Sequence, residues 1–217
     1  MRQSFKMICK VVWYSAWNGN DDMNFFALSY VFLVIHLNMG WASNYALKLV
    51  GMLFMLGGLS EISAFSGAFG ALKKQAYGVM AVSAASFVVI LVLKLADIGG
   101  ALFSIVSVVA GVVCAAAVML FLYKLIRLLI VNNQLVNDVS NISRLYSGWQ
   151  KLACFTAANI LFDILNRALP AGLFADFAGV VVTITKIILF VFVISTGWTF
   201  NKIRCDFNDK HPDEGDE

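Results

Sequence analysis

Along the chain, long apolar runs alternate with short polar breaks. Six runs approach the roughly 20 residues that an apolar helix needs to cross hydrocarbon. They fall at about 24–39, 45–70, 76–95, 101–123, 152–169 and 177–200. The first is short, and the second fades into SEISAFSGAFG after residue 59. The fourth is the cleanest, and the fifth is polar on one side. Runs such as VVILVL and IILFVFVI do not alternate, whereas the strands of a membrane barrel alternate over about ten residues. A helix satisfies its backbone within one segment, as lipid requires. The pattern therefore predicts an all-α fold, a polytopic helical membrane bundle of about six transmembrane helices.

Two further stretches have helical spacing without spanning length. In residues 1–22, Arg2, Lys6 and Lys10 recur every fourth position, and Phe5, Ile8 and Val12 lie on another face. Trp13, Tyr14 and Trp17 follow, residue types that favour the headgroup layer. This predicts a basic amphipathic segment lying on the inner leaflet. Between 128 and 149, Val131, Leu135, Val139, Ile142, Tyr146 and Trp149 keep helical spacing opposite a polar face rich in Asn. That segment reads as a cytosolic helical extension of the fourth span that lies on the membrane, packs on its own bundle or is offered to a partner. The transmembrane domain is expected over 23–203, and the acidic, Pro-containing tail over 204–217 is expected to be disordered.

Composition strengthens the membrane reading. The chain of 217 residues is 60% hydrophobic and 13% charged, with a mean hydropathy of +0.81. Soluble domains are about half apolar and a quarter charged. Net charge is only +3, and no block of Lys and Arg is dense enough for nucleic acid. Cys9, Cys114, Cys154 and Cys205 show no CxxC spacing, which argues against a disulfide framework or zinc site.

The distribution of charge sets an orientation. With a cytosolic N-terminus, Arg2, Lys6, Lys10, Lys73, Lys74, Lys124, Arg127, Arg144, Lys151, Lys202, Arg204 and Lys210 all lie inside. The WASN segment, expected as an outer loop, has none. Of the other basic residues, Lys48, Lys94 and Arg167 fall near outer helix ends, where long stems can snorkel, and Lys186 falls within the last span. Both termini are therefore expected to be cytosolic, in a bacterial-type cytoplasmic membrane.

Chemistry-bearing motifs are scarce. The two histidines, His36 and His211, do not make a metal site, and no GxGxxG, P-loop, HExxH or GxSxG occurs. No cofactor or metal is expected, and an intramembrane enzyme ranks last among the readings. The informative residues are polar groups inside spans, which need partners or water. Thr156, Asn159, Asp163 and Arg167 form one stripe on the fifth span; Asp176, Gly179, Thr183 and Lys186 form another on the sixth. The short turn around Pro170 makes these two spans antiparallel neighbours. The stripes are expected to face each other, so that Asn159, Asp163, Arg167, Thr183 and Lys186 form a ligand-binding or buried polar network. Glu61 is a candidate coupling site if the second span continues to Gly70, and an interfacial residue if that span ends near Leu59.

Two functions follow as expectations. One is binding or transport of a small polar solute between the last two helices. The other is a non-catalytic membrane subunit or scaffold, docking a protein partner or a second copy through the 128–149 helix. The bilayer is a partner in both.

Overall fold

The computed structural model describes residues 41–168 and 173–210, all within helices or the short turns between them. The expected first span at 24–39, the amphipathic segment at 1–22, and the chain from His211 onward lie outside the described residues. The elements are α1 (Trp41–Phe65), α2 (Gly67–Leu95), α3 (Gly100–Val131), a single 3-10 turn (Asn133–Leu135), α4 (Val139–Ala168) and α5 (Leu173–Lys210).

Successive helices pack as antiparallel neighbours. Between α1 and α2 a single residue, Ser66, leaves the helical conformation, with φ −151° and ψ 117°. Its amide still donates to the Ile62 carbonyl at 3.1 Å, and its own carbonyl accepts from the Phe69 amide at 3.1 Å. The chain reverses there, so that Lys73 Nζ donates to Ser60 Oγ at 3.2 Å. This corrects two expectations. The second run does not continue through 45–70; it ends at Phe65, and Gly67–Gly70 open α2. WASN is the first turn of α1 rather than a loop.

The helical extension expected over 128–149 is broken as well. Asn132 ends α3: its amide and its Nδ2 both donate to the Leu128 carbonyl at 2.9 Å. Residues 132–138 then reverse the chain. Asp138 starts α4 as an N-cap, accepting from the Ser140 amide at 2.9 Å and from Asn141 Nδ2 at 3.0 Å. The bonds from Ser140 hold the Asp138 carboxyl below the ordinary carboxylate range. The local preference of Asn and Asp for bonding nearby backbone wins over the apolar periodicity that runs through both sides. Within that stretch Leu135, Val136, Ile142 and Leu145 are buried in the chain's own core.

Ser66 Oγ bonds Asn132 Oδ1 at 3.3 Å, which ties the α1–α2 tip to the end of α3. The Asp138 amide donates to Asp206 Oδ2 at 2.7 Å, and Lys210 Nζ donates to the Gln134 carbonyl at 2.5 Å. Ser66, the 132–138 turn and the end of α5 therefore share one end of the bundle, called the lower end below. Helix α5 continues through Lys210 because Phe200, Ile203 and Phe207 keep a buried face. The first seven residues of the segment expected as a disordered tail are thus helical.

One apolar cluster joins the elements. Met52, Met55 and Leu59 of α1 meet Phe69 and Leu72 of α2, Phe121 and Leu125 of α3, Leu145 and Leu152 of α4, and Phe200 and Ile203 of α5. Among the described residues, three helical stretches are long and apolar enough to cross a membrane: Gly67–Leu95, Gly100–Val131 and Gly179–Phe207. Only 22% of each apolar window is buried within the bundle, so most of that surface must be covered by something other than this fold. A bilayer is the environment that composition and length both fit. The stretch Tyr45–Ser60 of α1 is a shorter apolar helix.

Candidate functional site

Helices α4 and α5 make the most extensive pairing in the described bundle. Their register is fixed at three levels. At the lower end Asp138 meets Asp206, as above. Higher up, Gly148 lies against Thr196 so closely that a Cβ at 148 would collide with the threonine methyl group. Higher still, Asn159 Nδ2 donates to Thr185 Oγ1 at 2.8 Å and to the Val182 carbonyl at 3.3 Å. The Thr185 hydroxyl, 8% exposed, lies 2.9 Å from the carbonyl of Val182 and can donate to it. Both polar groups are thus satisfied within the seam.

This register decides where the expected network lies. Asn159 faces α5, but Val182 and Thr185 face it in turn. Thr183 and Lys186 stand on the exposed side of α5, and the Thr183 hydroxyl donates to its own Gly179 carbonyl at 3.0 Å. Asp163 is half-buried one turn above Asn159. Arg167 occupies the last turn of α4 and Glu61 the last turns of α1, five residues before Ser66. The structure therefore brings Asn159 to Thr185, rather than to Thr183 and Lys186. The reason is geometric: in the sequence, 182/185 and 183/186 are equally good i, i+3 pairs, rotated by about 100°.

A crevice of about 540 Å³ opens between α4 and α5, lined on α4 by Arg144, Ser147 and Lys151 and on α5 by Ser195, Thr199 and Lys202. Phe192, Ile194 and Trp198 complete its upper and outer wall. Side chains on a helix lean toward its N-terminus. Because α4 and α5 run antiparallel, Lys151 leans down and Lys202 leans up, each along the crevice that it lines. Among the described residues no carboxylate lies at ion-pair distance from Arg144, Lys151 or Lys202, although the Asp138 carboxylate acts on Arg144 and Lys202 electrostatically. Ser147 and Ser195 place hydroxyls beside the cations, whereas Thr199 Oγ1 donates to the Ser195 carbonyl at 3.0 Å. Such a set recognises negative charge or phosphate-like oxygen. Arg144, Ser147 and Lys151 fall at i, i+3 and i+7, and Ser195, Thr199 and Lys202 at i, i+4 and i+7. The two stripes are visible as helical spacings in the sequence, but at span ends such spacing looks the same as an ordinary solvated face.

A second groove of about 440 Å³ lies between α2 and α3 at the same end, lined by Tyr123, Lys124 and Arg127 among others. There the Arg127 guanidinium stands 5.7 Å from the Tyr123 ring centre, which partly occupies it.

Lys48 of α1, expected near an outer helix end with a snorkelling stem, is instead buried within the fold and only 2% exposed. Its ammonium lies 5.8 Å from the centre of the Tyr45 ring. Buried Ser83 and Cys114, 3.2 Å apart, belong to the same region between α1, α2 and α3. Among the described residues no carboxylate pairs with Lys48. Among those residues, too, no three His, Cys, Asp or Glu side chains gather as a metal site would need.

No family model matches the chain, and no curated protein or solved structure shows significant similarity to it.

Proposed function

We propose that this chain is a multi-pass membrane protein of about six spans, with both termini on the cytosolic side, that binds a small anionic solute in the crevice between its last two helices. The observation that carries the reading is that Arg144, Lys151 and Lys202 all line one open crevice, where the Asp138 carboxylate offsets only part of the charge of Arg144 and Lys202. The orientation is supported by charge. Lys73, Lys74, Lys124 and Arg127 lie toward the same lower end as the crevice, whereas Lys48 and Lys94 lie toward the other. Asn159 and Thr185 act in this reading as the lock above the site. Passage of a solute along the pair requires that lock to open toward Asp163, Arg167, Thr183 and Lys186. A scaffold role through residues 128–149 has less support, because Ile142 and Leu145 are spent on the chain's own core.

The test is thermal stability of the detergent-purified protein against inorganic phosphate and a panel of carboxylates and phosphate esters. The wild type is compared with Arg144→Gln/Lys202→Gln. Stabilisation of the wild type alone supports the site. Equal shifts in both, or none in either, would remove it. For orientation, an impermeant thiol reagent applied to intact cells should label a cysteine placed in the 41–44 segment and leave Cys205, exposed on the lower part of α5, unlabelled.

A further inference from the structure

The crevice is not polar all round. Its lower part carries the three cations and the hydroxyls, while Ile194 and Trp198 stand 54% and 64% exposed on its outer lip. A soluble anion gains nothing from that apolar lip, and in a bilayer the lip faces acyl chains. Four residues separate Trp198 from Lys202 on α5, a rise of about 6 Å. An indole favours the boundary between hydrocarbon and headgroups. With Trp198 at that boundary, Lys202 reaches the level of lipid phosphates. Arg144 lies opposite in the α4–α5 register, and Lys151, set higher on α4, leans down toward the crevice from above. Basic pockets between transmembrane helices at the cytosolic face suit anionic headgroups.

Resting on the anion-site reading above, we propose that the occupant of this crevice is an anionic phospholipid of the leaflet at the lower end. Its phosphate sits between Arg144, Lys151 and Lys202, and an acyl chain lies along Phe192, Ile194 and Trp198. The lipid enters sideways over the exposed lip, so no water-filled path through the bundle is needed.

The test is native mass spectrometry of the full chain, released from detergent and titrated with phosphatidylglycerol, phosphatidylcholine or the soluble headgroup ester glycerol 3-phosphate. The variants are Arg144→Gln, Lys202→Gln, their double, and a control double in the other basic groove, Lys124→Gln/Arg127→Gln. Each basic group near an anionic surface contributes about fivefold in affinity, so the site double should weaken phosphatidylglycerol binding by ~30-fold. The control double should weaken it by no more than a few-fold, and phosphatidylcholine should bind weakly to all. If glycerol 3-phosphate binds as tightly as the lipid, with the same dependence on Arg144 and Lys202, the lipid assignment falls and the anion site stands. If neither ligand depends on Arg144 and Lys202, both readings fall. If only the control double abolishes binding, the site is the α2–α3 groove. The two single variants, expected to lose about fivefold each, keep the test valid if the double does not fold.

Discussion

Gly148 offers the most direct test of the α4–α5 register. A Cβ added there would overlap the Thr196 methyl at a separation that real side chains do not adopt. Restoring an ordinary carbon–carbon contact of about 3.5–4.0 Å requires the helices to part by about an ångström, or Thr196 to leave its rotamer. Rotation is resisted because Thr196 is β-branched, is buried, and donates to the Phe192 carbonyl at 2.6 Å. Overpacking of this kind costs about 1–3 kcal/mol. Against it stands the helix propensity gained on replacing glycine with alanine, about 1 kcal/mol. Gly148→Ala alone should therefore be neutral to destabilising by about 2 kcal/mol, the difference of those two terms. Thr196→Ser removes the methyl and keeps the hydroxyl bond. In that background Gly148→Ala keeps only its propensity gain and should stabilise. A double-mutant cycle isolates the steric term, since propensity enters both arms equally. The assay is thermal unfolding in one detergent, where 1 kcal/mol moves the midpoint of a chain this size by about 2–4 °C. The reasoning is refuted if Gly148→Ala has the same effect in both backgrounds.

Three further outcomes can be checked on the same purified protein. Asn159→Ala and Thr185→Val should each destabilise by about 0.5–1.5 kcal/mol, with the double costing less than their sum, because they share one interhelical hydrogen bond; additive effects would show that the bond is not made. Lys48→Met should be neutral or stabilising by up to about 4 kcal/mol, since a well-packed apolar side chain of similar volume replaces a buried cation without a carboxylate partner among the described residues; a large loss of folded protein would mean that the charge is paired and needed. Asp138→Ala should lower the unfolding midpoint while Asp138→Asn largely preserves it, as asparagine caps helices equally well. The lowered Asp138 value means its carboxylate favours the folded state above the ordinary pKa near 3.8, and this contribution is lost as pH falls through the folded value. A midpoint that declines more steeply on acidification in wild type than in Asp138→Asn is expected below about pH 4, and parallel declines would count against the cap.

The helices were legible in the sequence because lipid-crossing length and lack of alternation are coarse signals. The breaks were not. Ser66 reverses the chain with a single non-helical residue, and nothing in SEISAFSGAFG distinguishes that serine from Ser60 or Ser63 beside it. Asn132 and Asp138 end and start helices inside a stretch whose apolar positions keep helical spacing on both sides. Periodicity records which face is buried; it does not record that the chain has turned. The α4–α5 neighbour relation followed from a short connection, and the pairing is as expected. The rotational register did not follow, because a helix with Val182, Thr183, Thr185 and Lys186 in succession offers two faces of similar polarity. Packing chose the one with the aliphatic Val182 and the compact Thr185, leaving the long Lys186 stem outside, where it can snorkel.

That choice separates two populations of polar groups by their partners. In the middle of the bundle Asn159, Thr185, Thr196 and the Ser83–Cys114 pair satisfy one another or nearby carbonyls, as a low-dielectric interior demands. They fix how helices meet and leave no spare donor for a ligand. At the lower end Arg144, Lys151 and Lys202 border open space, with no carboxylate at ion-pair distance among the described residues, although Asp138 acts on Arg144 and Lys202 electrostatically. Cations there are tolerated because headgroups and water solvate them, and they are available for the same reason. A binding site needs unspent donors and room. In this bundle the two coincide in the α4–α5 crevice, which under the proposed function puts ligand recognition at the membrane boundary rather than at the polar stripe at mid-depth.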